Sequence, residues 1–403
     1  MKLNKTVFLL FVLFLLIGCG GGGSHSSSGN GVGITVKGDN VLPLSVNGSC
    51  TFLINAPCVS VKVCDPNNPL SCQTIHDILM DTGDVGLRIF KSVLKVSLAP
   101  VTDANGDIAD CIQYGDNSSS WGPVETASVV LGNESPVQVP IQVIDSKFAT
   151  PPNPCSNSNS IPRTDPSEFG FNGSLGLGFY LEDCGQDCAD GTNTVQYYSC
   201  NGPACSPAMV PTNKQVENPV PFLPNDNNGV MIELPAVPSG GALYADGAVV
   251  LGIGTQSNNT PNIPSGVQVY DVDSFGDFIT DFDGNPNPSF IDSGSNGLFF
   301  PPPSGGQLPP CQAPYSVWYC PSSTKKFSAT TQGATNLSNS LVKFQMGNFL
   351  MLANSPNWVF ANIGGDLPVF DWGLPFFLGR KVFIGFEGQF SSDFNATGPY
   401  WAF

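Results

Sequence analysis

Ile78-Leu79-Met80-Asp81-Thr82-Gly83 returns in the other half of the chain as Ser289-Phe290-Ile291-Asp292-Ser293-Gly294, and these stretches hold the only two Asp-(Thr/Ser)-Gly tripeptides in the sequence. In each, an apolar run of strand character carries an aspartate into a tight turn. A second apolar segment leaves it, Val85 to Phe90 after the first turn and Leu298 to Phe300 after the second. If both turns face one cleft, two carboxyls meet without histidine or metal. Two charges that close resist being carried together, so one acid keeps its proton while the other can act as a base toward water.

The composition around these turns is that of a β protein. Of 403 residues, 41% are apolar and only 12% charged, while Gly 45 and Pro 36 call for many turns and short strands. The predicted class is all-β, with enough chain for two or three domains. Val59-Ser60-Val61-Lys62-Val63 alternates at period two, and Thr126 to Leu131 with Val137 to Ile144 reads as a hairpin about Gly132-Asn133. A net charge of −17 excludes a nucleic-acid partner and offers no basic patch to anionic lipid.

Lys2 and Lys5 ahead of the apolar run Val7 to Ile17 have the pattern of an export signal over residues 1–18. The run is too short to span a bilayer comfortably. Leu16-Ile17-Gly18-Cys19 is similar to a bacterial lipobox, which predicts Cys19 as the lipidated first residue of the mature protein; the alternative is an ordinary secretory signal with Cys19 in a disulfide. Residues 19–33 read as a flexible tether carrying a solvated His25. The expected place is the bacterial cell envelope, held to the membrane through lipid alone.

With Cys19 set aside, the other cysteines are even in number, as disulfides in an oxidising compartment require. Cys50/Cys58, Cys64/Cys72, Cys184/Cys188, Cys200/Cys205 and Cys311/Cys320 are close enough to staple local loops, although spacing alone does not fix the connectivity. Zinc is disfavoured because only His25 and His76 are present to join the thiols, and no metal is expected. His76 reads as a surface or structural residue. Phe171 to Gly178 lacks a phosphate-loop or dinucleotide pattern, so its glycines point to close backbone packing and no cofactor is expected. Asp281 to Asn285 reads as a hairpin turn rather than a calcium loop. Serine, thiol and metal hydrolases are disfavoured because the folded body holds a single histidine.

The paired turns resemble the active-site turns of the pepsin-like aspartic peptidases. Asp292-Ser293-Gly294-Ser295-Asn296-Gly297-Leu298-Phe299-Phe300-Pro301 follows that family's second active-site strand, and Phe171 to Gly178 and Trp372-Gly373 resemble the segments that support the two turns. Tyr114-Gly115 ahead of Gly122 resembles the flap tyrosine with altered spacing, Trp121 being the other occupant. Segments 229–258, 292–301 and 371–403 are more specifically similar to an uncharacterised family of bacterial lipoproteins, domain of unknown function 3443.

The resemblance implies a two-lobed double β-barrel with a cleft between lobes, residues 34–240 forming the N-terminal lobe and 241–403 the C-terminal one. It implies a peptide or protein substrate cut by Asp81 and Asp292. Thr82, Gly83, Ser293, Gly294 and Ser295 would support the dyad, and the cleft would take an extended peptide as an added strand. Where that family has Ser or Thr after the first Asp-Thr-Gly, this chain has Asp84. Such an acid is expected either to raise a neighbouring pKa by repulsion or to turn toward solvent. The rival expectation is a binding module with a disabled dyad, holding a peptide or glycan in the same cleft; a third is a purely structural lipoprotein. Oligomeric state stays open.

Overall fold

A computed structural model describes residues 30–261 and 266–403 of the chain. The export signal, Cys19 and most of the tether lie outside the described residues. The fold is all-β, its helices short and confined to connections. One extended sheet system gathers the strands from Val32–Gly33 to Val269–Asp271 and takes back Arg380–Gly385 and Tyr400–Ala402 from the end of the chain. A second, seven-stranded sheet is built from strands between Phe278 and Gly373.

Alternation decides which residues enter the core. In the strand Pro57–Asp65, Val59, Val61 and Val63 are buried while Ser60 and Lys62 face water. The expected hairpin is present as Ser118–Val130 against Val137–Ile144, with Val129 opposite Val137. Ile78, Leu87 and Leu175 share one apolar core with Ile291, Leu298 and Trp372, so the two halves of the chain are continuous. Phe300 stacks on Phe370 at 5.1 Å in the second sheet.

Six disulfides close the described body. Five are the close pairs named from spacing, and Cys111–Cys155 joins a strand to a short helix 44 residues on. The tether expected over residues 19–33 includes residues that belong to the folded body. Val32–Gly33 pairs in parallel with Ala245 and Asp246, because Val32 has an apolar side chain to pack against the core. The expected lobe boundary at 240/241 falls in the connection between Gly229–Leu234 and Tyr244–Leu251, which are antiparallel neighbours in the first sheet system.

Two threaded units repeat within this frame. In the first, β1 (Asn68–Asp81) and β2 (Val85–Phe90) flank β3 (Gly173–Leu177), which runs parallel to β1 and antiparallel to β2. In the second, β4 (Asn285–Asp292) and β5 (Leu298–Phe299) flank β6 (Phe370–Gly373) in the same senses. Gly176 sits opposite Asp81 and Gly373 opposite Asp292. Each threaded strand must pass where its flanking strands part, and there is no room for a side chain. A Cβ on Gly176 would lie 2.4 Å from the Val85 nitrogen, and one on Gly373 would lie 2.1 Å from the Gly297 oxygen.

Gly176→Ala and Gly373→Ala are each expected to lower stability by about 3 kcal/mol, since the obstructing atoms are buried backbone. Gly240→Ala, where an added Cβ meets nothing within 4 Å, should stay within about 0.5 kcal/mol of wild type. Urea midpoints measure both; wild-type midpoints for the first two variants would contradict the threading.

Candidate active site

Each threaded unit delivers its aspartate at the end of a strand: Asp81 closes β1 and Asp292 closes β4. The turns that follow meet face to face. A Cβ on Gly83 would lie 2.8 Å from Asp292 Cγ, and one on Gly294 would lie 2.6 Å from Asp81 Oδ2. Each glycine is therefore the surface against which the opposite carboxyl rests, and any side chain there would push the acids apart.

Thr82 and Ser293 hold the turns in this position. The Thr82 amide donates to Ser293 Oγ at 3.0 Å, and the Ser293 amide donates to Thr82 Oγ1 at 2.9 Å. Each hydroxyl then donates across the junction, Thr82 Oγ1 to the Ile291 carbonyl and Ser293 Oγ to the Met80 carbonyl, both at 2.9 Å.

The two acids are not equivalent. Asp81 Oδ1 accepts from the Gly83 amide at 2.8 Å. Asp292 Oδ1 accepts from the Gly294 amide at 2.8 Å, and its Oδ2 also accepts from Ser295 Oγ at 2.9 Å. Both are almost fully buried. Burial, then the charge of Asp292, then that of Asp84, push Asp81 well above the ordinary carboxyl range. Burial also raises Asp292, but hydrogen bonds from Asp81, Ser295 and Gly294 pull it back. The extra donor at Asp292, the Ser295 hydroxyl, favours the charged form there, so Asp81 is the member better suited to hold a shared proton.

Asp84 does not turn toward solvent, which corrects one of the two expectations for it. It points inward, with Oδ1 accepting from the Val85 amide at 2.8 Å and Oδ2 lying 3.3 Å from Arg88 Nε. Its charge is among the causes that raise Asp81. Arg88 is fully buried on β2 and also meets Asp110 Oδ2 at 3.1 Å and Asp183 Oδ2 at 2.9 Å. One cation cannot offset three buried carboxylates, so Asp110 is held well above its ordinary value, by burial and then by Asp183. Sequence reading missed this cluster. The available signal was the lone arginine in Val85-Gly86-Leu87-Arg88-Ile89-Phe90, since a cation inside an apolar strand needs acids from elsewhere.

Tyr114 follows the strand Asp107–Gln113 at the tip of a hairpin with Ser118–Val130. It is buried, with its hydroxyl 3.1 Å from Ser120 Oγ and Arg163 lying 3.6 Å over its ring. It packs with Leu53 and Leu79. Leu79 and Asp81 are two apart on β1, so Tyr114 and Leu53 pack on the face of β1 that Leu79 shares with Asp81. Trp121 stands elsewhere in the hairpin, edge-on to Tyr198 at 5.8 Å and donating to the Ala149 carbonyl. It packs in a different apolar cluster from Leu79.

The loop closed by Cys50–Cys58 spans the two turns. Leu53 packs beside Tyr114, Ile54 packs with Phe299 and Phe360, and Asn55 Nδ2 donates to the Asn296 carbonyl at 2.9 Å. From sequence this loop was only a local staple. Among the described residues, no group of three or more His, Cys, Asp or Glu side chains is arranged to hold a metal ion.

The folded protein holds the Asp81 proton more tightly than the unfolded chain, whose aspartates titrate near 3.8. Wild-type stability therefore falls as pH rises from that value through the raised folded one. Asp81→Asn removes the loss. It should be more stable than wild type at pH 7 by roughly 1 kcal/mol or more and equal to it below pH about 3.8. Urea denaturation across pH reads this, and a difference independent of pH would contradict a protonated Asp81.

No curated protein matches the chain. The family described as "Protein of unknown function (DUF3443)" matches residues 36–403, a span that takes in both threaded units, the facing turns and the Arg88 cluster. The chain belongs to this family.

Proposed function

We propose that this chain is an envelope-anchored aspartic endopeptidase with a two-lobed, pepsin-like double-barrel architecture. One observation carries the reading: Gly83 and Gly294 each lie against the opposite aspartate, which puts two carboxyls with unequal proton affinity at one point. In this reading the first threaded unit belongs to an N-terminal lobe over residues 34–240 and the second to a C-terminal lobe over 241–403. Cys19 carries the lipid.

A water held between the acids loses its proton to Asp292 and attacks the scissile carbonyl carbon, while Asp81 gives its proton to the carbonyl oxygen. The tetrahedral diol then collapses. Asp292 returns a proton to the departing amine nitrogen, the C–N bond breaks, and Asp81 recovers its proton from the diol. Thr82 and Ser293 keep the acids in register throughout. An extended peptide lies across the turns beneath the hairpin that carries Tyr114, held by main-chain hydrogen bonds.

A second reading, a module that binds a peptide or glycan without cutting it, is favoured by the burial of both acids and by Leu53 and Tyr114 on the Asp81 side. Incubation of the lipid-free mature protein with a mixed peptide library from pH 3 to pH 7 separates the two. Cleavage is expected on the acidic side and should fall by about 10³-fold in Asp81→Asn and in Asp292→Asn. No cleavage at any pH, with saturable peptide binding, would replace the peptidase by the binding module.

Asp84→Ser removes a negative charge that raises Asp81. The alkaline limb of kcat/KM, set by loss of the Asp81 proton, should therefore move to lower pH. An unmoved limb would show that the Arg88 cluster already cancels Asp84.

A further inference from the structure

The two threaded units carry one acid each behind the aspartate turn, but in exchanged positions. In the first unit the acid is Asp84, three residues after Asp81, and the threaded strand carries Ser174. In the second the residue three after Asp292 is Ser295, and the threaded strand carries Asp371. The registers make the pairs equivalent: Ser174 lies opposite Leu79 and Arg88, and Asp371 opposite Phe290 and Phe299. So where Asp84 meets a guanidinium, Asp371 has a phenyl ring on the corresponding strand.

Asp371 is 0% exposed, and neither of its oxygens receives a hydrogen bond. Burial and then another acid, Asp292, raise its proton affinity, and the Ser295 hydroxyl beside it acts the other way. The Ser295 hydroxyl cannot serve it, because its proton is already donated to Asp292 Oδ2 at 2.9 Å. As a carboxylate, Asp371 would be a buried anion with no donor and no cation. As a carboxylic acid it becomes a donor, and the free lone pair of Ser295 Oγ is the acceptor beside it. Burial and the neighbouring Asp292 outweigh the opposing effect of that hydroxyl.

We propose that Asp371 is a positioning residue: a neutral carboxylic acid whose hydroxyl donates to Ser295 Oγ and thereby holds that serine's own proton on Asp292 Oδ2. No bond is made or broken in this role. Asp371 orients Ser295, Ser295 stabilises the ionised form of Asp292, and the dyad's proton is left on Asp81. The inference deepens the aspartic-peptidase reading and rests on it only for its catalytic meaning, because the protonation states stand apart from any substrate.

The test is a pH titration of the Asp side-chain carboxyl carbons by NMR in the full mature protein, comparing wild type, Asp371→Asn, Asp371→Leu and Ser295→Ala. One aspartate should keep the chemical shift of a neutral carboxyl to pH 7 and lose its signal in both Asp371 variants. Asp371→Leu, which cannot donate to Ser295, should move the Asp292 titration upward by about one unit. Asp371→Asn keeps a donor of the same shape and should restore it. In the Ser295→Ala background, Asp371→Leu should produce no further shift, since the intermediary is gone.

An Asp371 that is ionised at pH 7, or a downward movement of Asp292 in Asp371→Leu, as relief from a neighbouring anion would give, overturns the proposal. Peptide cleavage measured on the same samples separates the claims. A neutral, coupled Asp371 in a protein that cuts nothing removes the peptidase reading and leaves this one standing.

Discussion

The exchange of hydrogen bonds between Thr82 and Ser293 is the interaction on which the rest of the site depends. It joins two strand ends from distant parts of the chain with four bonds in which each hydroxyl both donates and accepts. A typical buried hydrogen bond adds only about 1 kcal/mol net, but a buried donor or acceptor left alone costs about as much or more. Losing either hydroxyl would strand groups on both turns, so the junction behaves as a unit. Its position fixes the contact of Gly83 with Asp292 and of Gly294 with Asp81, and that contact brings the acids together.

Backbone symmetry and charge asymmetry coexist here. The registers of the threaded strands match residue for residue, yet what surrounds each aspartate differs. Behind Asp81 stands a buried cluster in which Arg88 faces Asp84, Asp110 and Asp183. The charge of Asp84, the member next to the turn, adds to the repulsion that keeps a proton on Asp81. Beside Asp292 stand two neutral donors, the Gly294 amide and the Ser295 hydroxyl, which favour the charged form. Both arrangements push the proton toward Asp81, so its placement is built into the fold.

Legibility in the sequence followed the range of the interaction. Period-two alternation in Val59 to Val63, the apolar runs into Asp81 and Asp292, and the glycines of Gly173 to Gly178 are local signals, and each corresponds to a strand, a turn or a tight crossing. The close cysteine pairs were readable for the same reason, since short loops leave few partners within reach. Asp110 and Asp183 carry no mark that ties them to Arg88, because the attraction acts through space between strands far apart in the chain. Asp371 in Val369-Phe370-Asp371-Trp372 gave no sign of being buried without a donor. Val32 was absorbed into a glycine- and serine-rich composition, although one valine beside a strand edge is enough for a short parallel pairing.

Burial serves the chemistry and restricts access at once. Burial is the first cause that raises Asp81, and Leu53 and Tyr114 pack on the face of its strand that Leu79 shares with it. The matching face beside Asp292 is less closed: Phe290 stands where Leu79 stands on the first unit, and it is half-buried where Leu79 is fully covered. The residues two before each aspartate therefore differ in exposure, and the Cys50–Cys58 loop sets Leu53 against the first unit while Asn55 is bonded to the second. Moving that loop would admit water to Asp81 and weaken the desolvation that keeps its proton. Burial is the first of the causes that raise Asp81, so whatever covers the turns also helps to set its proton affinity.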